Sequence, residues 1–251
     1  MSETTIAPIR GKRMRLTRVD ECGRPLVGTA SRLVTKGFID VNLTAVMKNA
    51  EDIEQTNADG ELCISDRTKA QIKWYDAAIN FCGIDIAALP FFTESPIVLD
   101  YANKPVGFRA SRELAVDRGT ALEVWTGLGD GECEIPTDDS FLTSAAGMKR
   151  YGYLLIPLIV DGVMGDIEFG AKVTNLSITG RTKSAPGWGR GPYEVVAADD
   201  EATPSRLLTP ILNKQDFHLE KTPIAPPAIT DGAVELDPLP TPYYGEIPTG
   251  D

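Results

Sequence analysis

The chain has one histidine, His218, in 251 residues. Catalytic triads and most zinc sites need histidine at a rigid, shielded place. His218 instead lies in a polar run, Asn213-Lys214-Gln215-Asp216-Phe217-His218, and reads as a surface residue. No G-x-S-x-G is present. The four cysteines, Cys22, Cys63, Cys82 and Cys133, are scattered without a C-x-x-C. They are expected to be buried, reduced thiols of a cytoplasmic protein. No apolar run approaches the length of a transmembrane helix, and the first twenty residues lack the apolar centre of a signal peptide. Basic side chains are outnumbered, 25 against 36 acidic, for a net charge of −11. That excludes general nucleic-acid binding, which needs clustered cations against phosphate.

Candidate cofactor loops fail on their own terms. Gly127-Leu128-Gly129-Asp130-Gly131 is not G-x-G-x-x-G and no helix opens after it. Asp130, Glu132, Glu134 and Asp138 space like an EF-hand, but Ile135 and Phe141 stand where glycine and glutamate are needed. A looser cation site near Asp130–Asp139 stays open. No catalytic constellation, metal or cofactor is expected, and the chain does not read as an enzyme.

What is there is mostly strand. Residues 153–160 are a continuous apolar run. Asp161-Gly162 is a hairpin signal. Val163, Gly165, Ile167 and Phe169 then alternate with Met164, Asp166 and Glu168, and Leu176 and Ile178 with Asn175, Ser177 and Thr179. These predict a three-stranded antiparallel meander with one buried and one polar face.

Earlier in the chain, Ile39, Val41, Leu43 and Ala45 alternate with Asp40, Asn42 and Thr44. Asp52 and Glu54 follow, then a turn at Asn57-Ala58-Asp59-Gly60 and a short strand. This reads as a long hairpin with an acidic polar face. Residues 70–82 are ambiguous from the residues alone. Asp85 is placed to cap the one expected helix, 86–92, which Pro90 bends or limits. Residues 96–101 read as a strand, and 106–116 with 120–125 as a further hairpin. The expected fold class is therefore all-β with one short α-helix.

The ends differ in composition. Arg10, Lys12, Arg13, Arg15 and Arg18 crowd into nine positions of the first nineteen. They read as a basic N-terminal arm, 1–19, either solvated or docked on an acidic neighbour. Residues 222–251 hold seven prolines and no Lys or Arg. They read as an extended acidic tail, which leaves 20–221 as the β domain.

YGYLLIPLIVDGVMGDIEF, an SITG strand end and then GWGRGPY resemble the major tail (tail tube) proteins of long-tailed phages of actinobacteria. MRLTRVDECGRP at 14–25, TNADGELCISD at 56–66, INFCGIDIAAL at 79–89 and SRLLTPI at 205–211 resemble the same family in the same order. The resemblance spans roughly residues 14–226, and it favours a strand at 70–82. It implies a β-sandwich or barrel-like core whose long hairpins join those of neighbours. It also implies a ring of six copies, stacked into the tube through which genomic DNA leaves the virion.

The implied partners are further copies of itself, the tape measure protein, the tail tip and the tail terminator, with DNA as non-adhering cargo and no membrane. The implied location is the virion tail, assembled in the bacterial host cytoplasm. If the hairpins line the lumen, ten positions face it: Asp40, Asn42, Thr44, Asp52, Glu54, Asp166, Glu168, Asn175, Ser177 and Thr179. They hold five acids and no cation, a wall that repels phosphate within a Debye length of about 8 Å. The basic residues of 10–18 are then expected to meet an acidic neighbouring copy. The rival reading is a monomeric β-sandwich module that binds a ligand through its loops.

Overall fold

A computed structural model of the chain describes residues 6–83, 85–114, 117–128, 150–167, 170–171 and 174–236. In chain order the strands begin with β1 (Pro8–Asp20), β2 (Arg32–Thr35) and β3 (Phe38–Lys48). Next come β4 (Asp52–Thr56), β5 (Leu62–Arg67) and β6 (Gln71–Phe81), then helix α1 (Leu89–Phe92). The small strands β7 (Ile97–Leu99) and β8 (Pro105–Phe108) precede the long β9 (Arg118–Leu128) and β10 (Tyr151–Met164). β11 (Leu176–Thr182), β12 (Val196–Ala197), β13 (Pro204–Ser205) and β14 (His218–Thr222) complete the set. The fold is all-β with one short helix, as the sequence predicts.

One antiparallel sheet runs β2-β1-β9-β10-β11-β6-β3. It forks at β10. β14 pairs with Tyr151–Leu155 and β11 with Ile159–Met164 along the same edge of that strand. Pro157 sits between the two stretches. It has no N–H to give to a ladder, and the register with β9 also shifts between Ile156 and Ile159.

Both faces of the sheet's centre are covered, which explains why 153–160 is continuously apolar rather than alternating. On one face Met14, Leu16, Leu122, Ile156, Ile79 and Ile178 pack with Phe91 and Phe92 of α1. On the other, Val19, Trp125, Tyr153 and Leu155 pack with Trp188, Tyr193, Leu207 and Ile211. Among the described residues the layers over the sheet are thus α1 and the segment 185–211, not a second large sheet. Asp85 Oδ1 accepts N–H bonds from Ala87 at 3.0 Å and Ala88 at 3.2 Å. It closes a turn over 86–88, and the helix proper begins only at Leu89. Pro90 stands in the first turn, where its missing N–H has no partner to lose.

Several expectations are corrected. Asp161-Gly162 is no hairpin turn: β10 runs through it as a bulge, with Asp161 at φ 55°. Asp and Gly serve bulges for the reason they serve turns, tolerance of positive φ. The extra residue moves the following side chains to the other face. Val163, expected inside, is 47% exposed, and Met164 packs on the core. The meander is therefore one long strand and β11. The hairpin expected from 106–116 and 120–125 does not form either, since β8 pairs with β7 while β9 lies between β1 and β10.

The described parts of the two end segments, 6–20 and 222–236, are also integral to the sheet. β1 is the sheet neighbour of β9, with Met14 and Leu16 fully buried. Residues 223–236 return to the sheet, where Arg32 and Val234 exchange backbone bonds of 3.0 and 2.7 Å and Leu236 is buried. Cys22, Cys63 and Cys82 are free, as expected, but exposed rather than buried. Cys133 lies outside the described residues.

Candidate assembly surface

The register places half of the proposed lumen residues on one face. Asp40 opposes Asn80, which opposes Ser177; Asn42, Ala78 and Thr179 form the next row; Thr44, Asp76 and Arg181 the third. Residues directly opposite share a face, so β3, β6 and β11 present one polar surface. Behind it Val41, Leu43, Ile79 and Ile178 pack into the core. Asp40 Oδ1 accepts from Asn42 Nδ2 at 2.8 Å and Asn80 Nδ2 at 2.7 Å, which fixes the head of the first row. Arg181 Nε donates to Asp161, and Trp74 Nε1 donates to Asp76 Oδ1 at 2.9 Å.

The other five residues fall elsewhere. Asp52 and Glu54 are on β4, in a distal arm, where Arg67 lies 3.3 Å from Asp52. Asp166 follows the end of β10 and Asn175 precedes β11, both exposed but outside strands. Glu168 lies outside the described residues, as does the acidic stretch at 130–139. The sequence reading also missed Asp76, Asp161 and Arg181. Arg181 had a readable signal, because it continues the Ser177, Thr179 alternation by one more step. Its presence corrects the expectation of a face without cations.

The two ends of the sheet are built differently. Beyond β2 the edge is covered: besides the Val234 bridge, Thr230 Oγ1 accepts from Val34 N at 3.0 Å and Thr230 N donates to Val34 O at 3.1 Å. Beyond β3, among the described residues, no strand pairs. Phe38, at the start of β3, packs on the core beside Gly11 of β1, and from Asp40 onward no described strand lies against this edge. The same hairpin extends outward as an arm, β4 and β5 joined through Asn57–Gly60. Asn57 Oδ1 accepts from the N–H of Asp59 at 3.0 Å and Glu61 at 2.8 Å, and Gly60 takes φ 82°. Every residue of 51–70 is exposed, including Ile53, Leu62 and Ile64.

The basic residues of 10–18 are not an arm. Arg10, at φ 49°, and Lys12 sit at irregularities of β1 and are exposed. Arg13 is half-buried, and Arg18 lies over the Phe91 ring at 5.2 Å. Burial, then the neighbouring Arg118, holds the Arg18 guanidinium below its ordinary pKa. Arg15 is buried and bonded to Glu123, Nε to Oε2 and Nη2 to Oε1, each at 2.5 Å. Its guanidinium lies 3.4 Å from the Tyr193 ring centroid and 4.9 Å from that of Trp125. Tyr153 Oη donates to Glu123 Oε1 at 2.7 Å. Burial opposes the Arg15 charge, yet Glu123 more than compensates and its pKa is raised. A residue held in this way is an internal anchor and docks on no neighbour.

His218 is half-buried with Nε2 3.2 Å from Glu220 Oε2. Among the described residues no three His, Cys, Asp or Glu side chains converge as a metal group would require. No protein-family model matches the chain, and no curated protein does.

Proposed function

We propose that the chain is a structural subunit that self-associates into rings, and that the rings stack as the tail tube of a phage virion. The carrying observation is the unequal treatment of the two sheet edges. β2 is covered by the chain's own 230–234, while β3 from Asp40 onward has no described strand beside it and adjoins a fully exposed arm. An open edge of that length is a liability in a monomer. Closure into a ring removes it, because a heterologous contact that closes leaves no free edge.

The resemblance to actinophage tail tube proteins supplies the six copies, the DNA passage and the tape measure, tip and terminator partners. In a ring joined at β3, the surface bearing Asp40, Asn42, Thr44, Asp76, Ser177 and Thr179 is the wall next to the joint. Three carboxylates, Asp40, Asp76 and Asp161, stand there against Arg181. Such a wall does not hold a phosphate backbone by counterion release. The arm reaches past the sheet towards the next copy.

Electron microscopy and native mass of the purified protein test the proposal, with and without tail-initiating proteins. Sixfold rings or tubes are expected. Monomers and dimers under every condition overturn it. The rival, a monomeric binding module, draws on the groove beside Trp74 and Phe217; a concentration-independent monomer that binds a ligand there decides for it.

A further inference from the structure

A groove of about 1090 Å³ opens where the sheet forks. Residues 71–75, 181–184, 209–212 and 214–218 line it. Tyr75 and Phe217 meet edge to face, with centroids 5.3 Å apart at 86°. Trp74 has Lys73 Nζ at 5.6 Å and Arg181 Cζ at 5.3 Å from its ring. Lys183 and Lys214 add two exposed ammonium groups. Asp216 is the one carboxylate among the described lining residues, and it accepts from the Thr182 hydroxyl at 3.2 Å. In a chain of net charge −11, a groove of four cations and three aromatic rings is complementary to an acidic, extended peptide that carries aromatic side chains.

The chain contains such a segment. Residues 237–251 read DPLPTPYYGEIPTGD, with three carboxylates, four prolines, a Tyr pair and no Lys or Arg. We propose that residues 237–251 dock in this groove of their own chain. Proline holds a peptide extended at about 3.1 Å per residue without internal hydrogen bonds. Tyr243 and Tyr244 offer flat rings to Trp74 and Phe217, and Asp237, Glu246 and Asp251 offer acceptors to Lys183 and Lys214.

The chain demonstrates the reach. From His218, in the groove, to Thr230, at the β2 edge, it needs twelve residues. Leu236 is held in the same buried cluster as Ile211, a groove residue, and fifteen residues follow it. Tethering at this length gives an effective concentration in the millimolar range, so weak contacts suffice. The docking does not rest on the assembly reading and is measured on the dilute subunit.

The test replaces Tyr244 with the photo-crosslinker p-benzoylphenylalanine in the full chain, irradiated as a dilute mixture of isotopically heavy and light protein. Adducts to 71–75 or 209–218 within one chain are expected. Lys183→Glu with Lys214→Glu should lower their yield about fivefold, the scale of one exposed ion pair. Adducts only between heavy and light chains, or on the 51–70 arm, overturn the proposal, because another copy then supplies the contact. A second readout needs no photochemistry. Lys183 and Lys214 should acetylate several-fold faster in the Tyr243→Ala, Tyr244→Ala protein than in the parent, and equal rates overturn the proposal.

Discussion

Arg15 and Glu123 face each other across β1 and β9 in a fully buried layer, joined by two bonds of 2.5 Å. Side-chain exposure is 5% and 1%. The pair stabilises the fold only as a pair, since each charge is costly alone in that layer. Arg15→Ala and Glu123→Ala should each lower stability by about 3–5 kcal/mol, read from urea denaturation. Arg15→Met combined with Glu123→Leu should recover part of that loss. Recovery stays incomplete because the Tyr153 hydroxyl loses its acceptor. Single variants near parent stability would refute the anchor role.

The same layer makes the protein sensitive to alkali. Burial pushes the Tyr193 hydroxyl up to about 12, with Arg15 pulling the other way. Burial and the Glu123 charge raise Tyr153 well above the ordinary range. In the unfolded chain both titrate near 10. Between pH 10 and 12 the unfolded state therefore gives up protons that the folded state keeps, and stability falls as pH rises. Each tyrosine contributes a slope of about 1.4 kcal/mol per pH unit once ionised in the unfolded chain. Urea midpoints from pH 8 to 11.5 measure it. Tyr193→Phe should make the fall shallower, and an unchanged slope would contradict the assignment.

Legibility varied with how local the determining physics is. The arm turn at Asn57–Gly60 and the alternation of β3 from Asp40 to Thr44 depend on neighbours in sequence and were readable. So was the strand class of residues 153–160. Asp85, expected to cap a helix from 86, instead closes a turn before Leu89. Ile39, expected on the apolar face, is exposed where the register shifts between Phe38 and Asp40. The bulge at Asp161 was not readable, because the backbone freedom that makes a turn also makes a bulge, and the choice depends on the pairing with β11. The basic cluster at 10–18 misled for a related reason. A strand facing two cores carries its Arg inside when a partner such as Glu123 waits more than a hundred residues away. The open edge at β3, which carries the functional proposal, exists only in the topology.

Gly162 offers a direct check of that bulge. A Cβ there would stand 2.2 Å from the Phe92 carbonyl oxygen, a backbone atom that cannot swing aside. Gly162→Ala should therefore force α1 off the sheet and lower stability by about 2–3 kcal/mol. Gly107→Ala is the control. Its nearest neighbour is Val98 Cβ at 3.8 Å, so little change is expected. Equal melting temperatures for the two variants would mean that the close approach of β10 to α1 is wrong.

The arm separates folding from assembly. All twenty residues of 51–70 are exposed, and none belongs to either buried cluster. At the arm's base Thr68 N donates to Glu51 O at 3.0 Å, and Thr68 Oγ1 accepts from Glu51 N at 2.8 Å. Excising residues 52–67 and joining Glu51 to Thr68 through Asn-Gly leaves β3 and β6 paired, because that dipeptide matches the twist of two antiparallel strands. The melting transition of the subunit should stay within about 0.5 kcal/mol of the parent, as for changes away from packed sites. If the arm joins neighbouring copies, the same variant should give no stacked tubes in electron micrographs. Tubes of parent length from the armless chain would remove the arm from the assembly proposal and leave the β3 edge to carry it. A lost melting transition would show instead that the arm supports the fold, against its complete exposure.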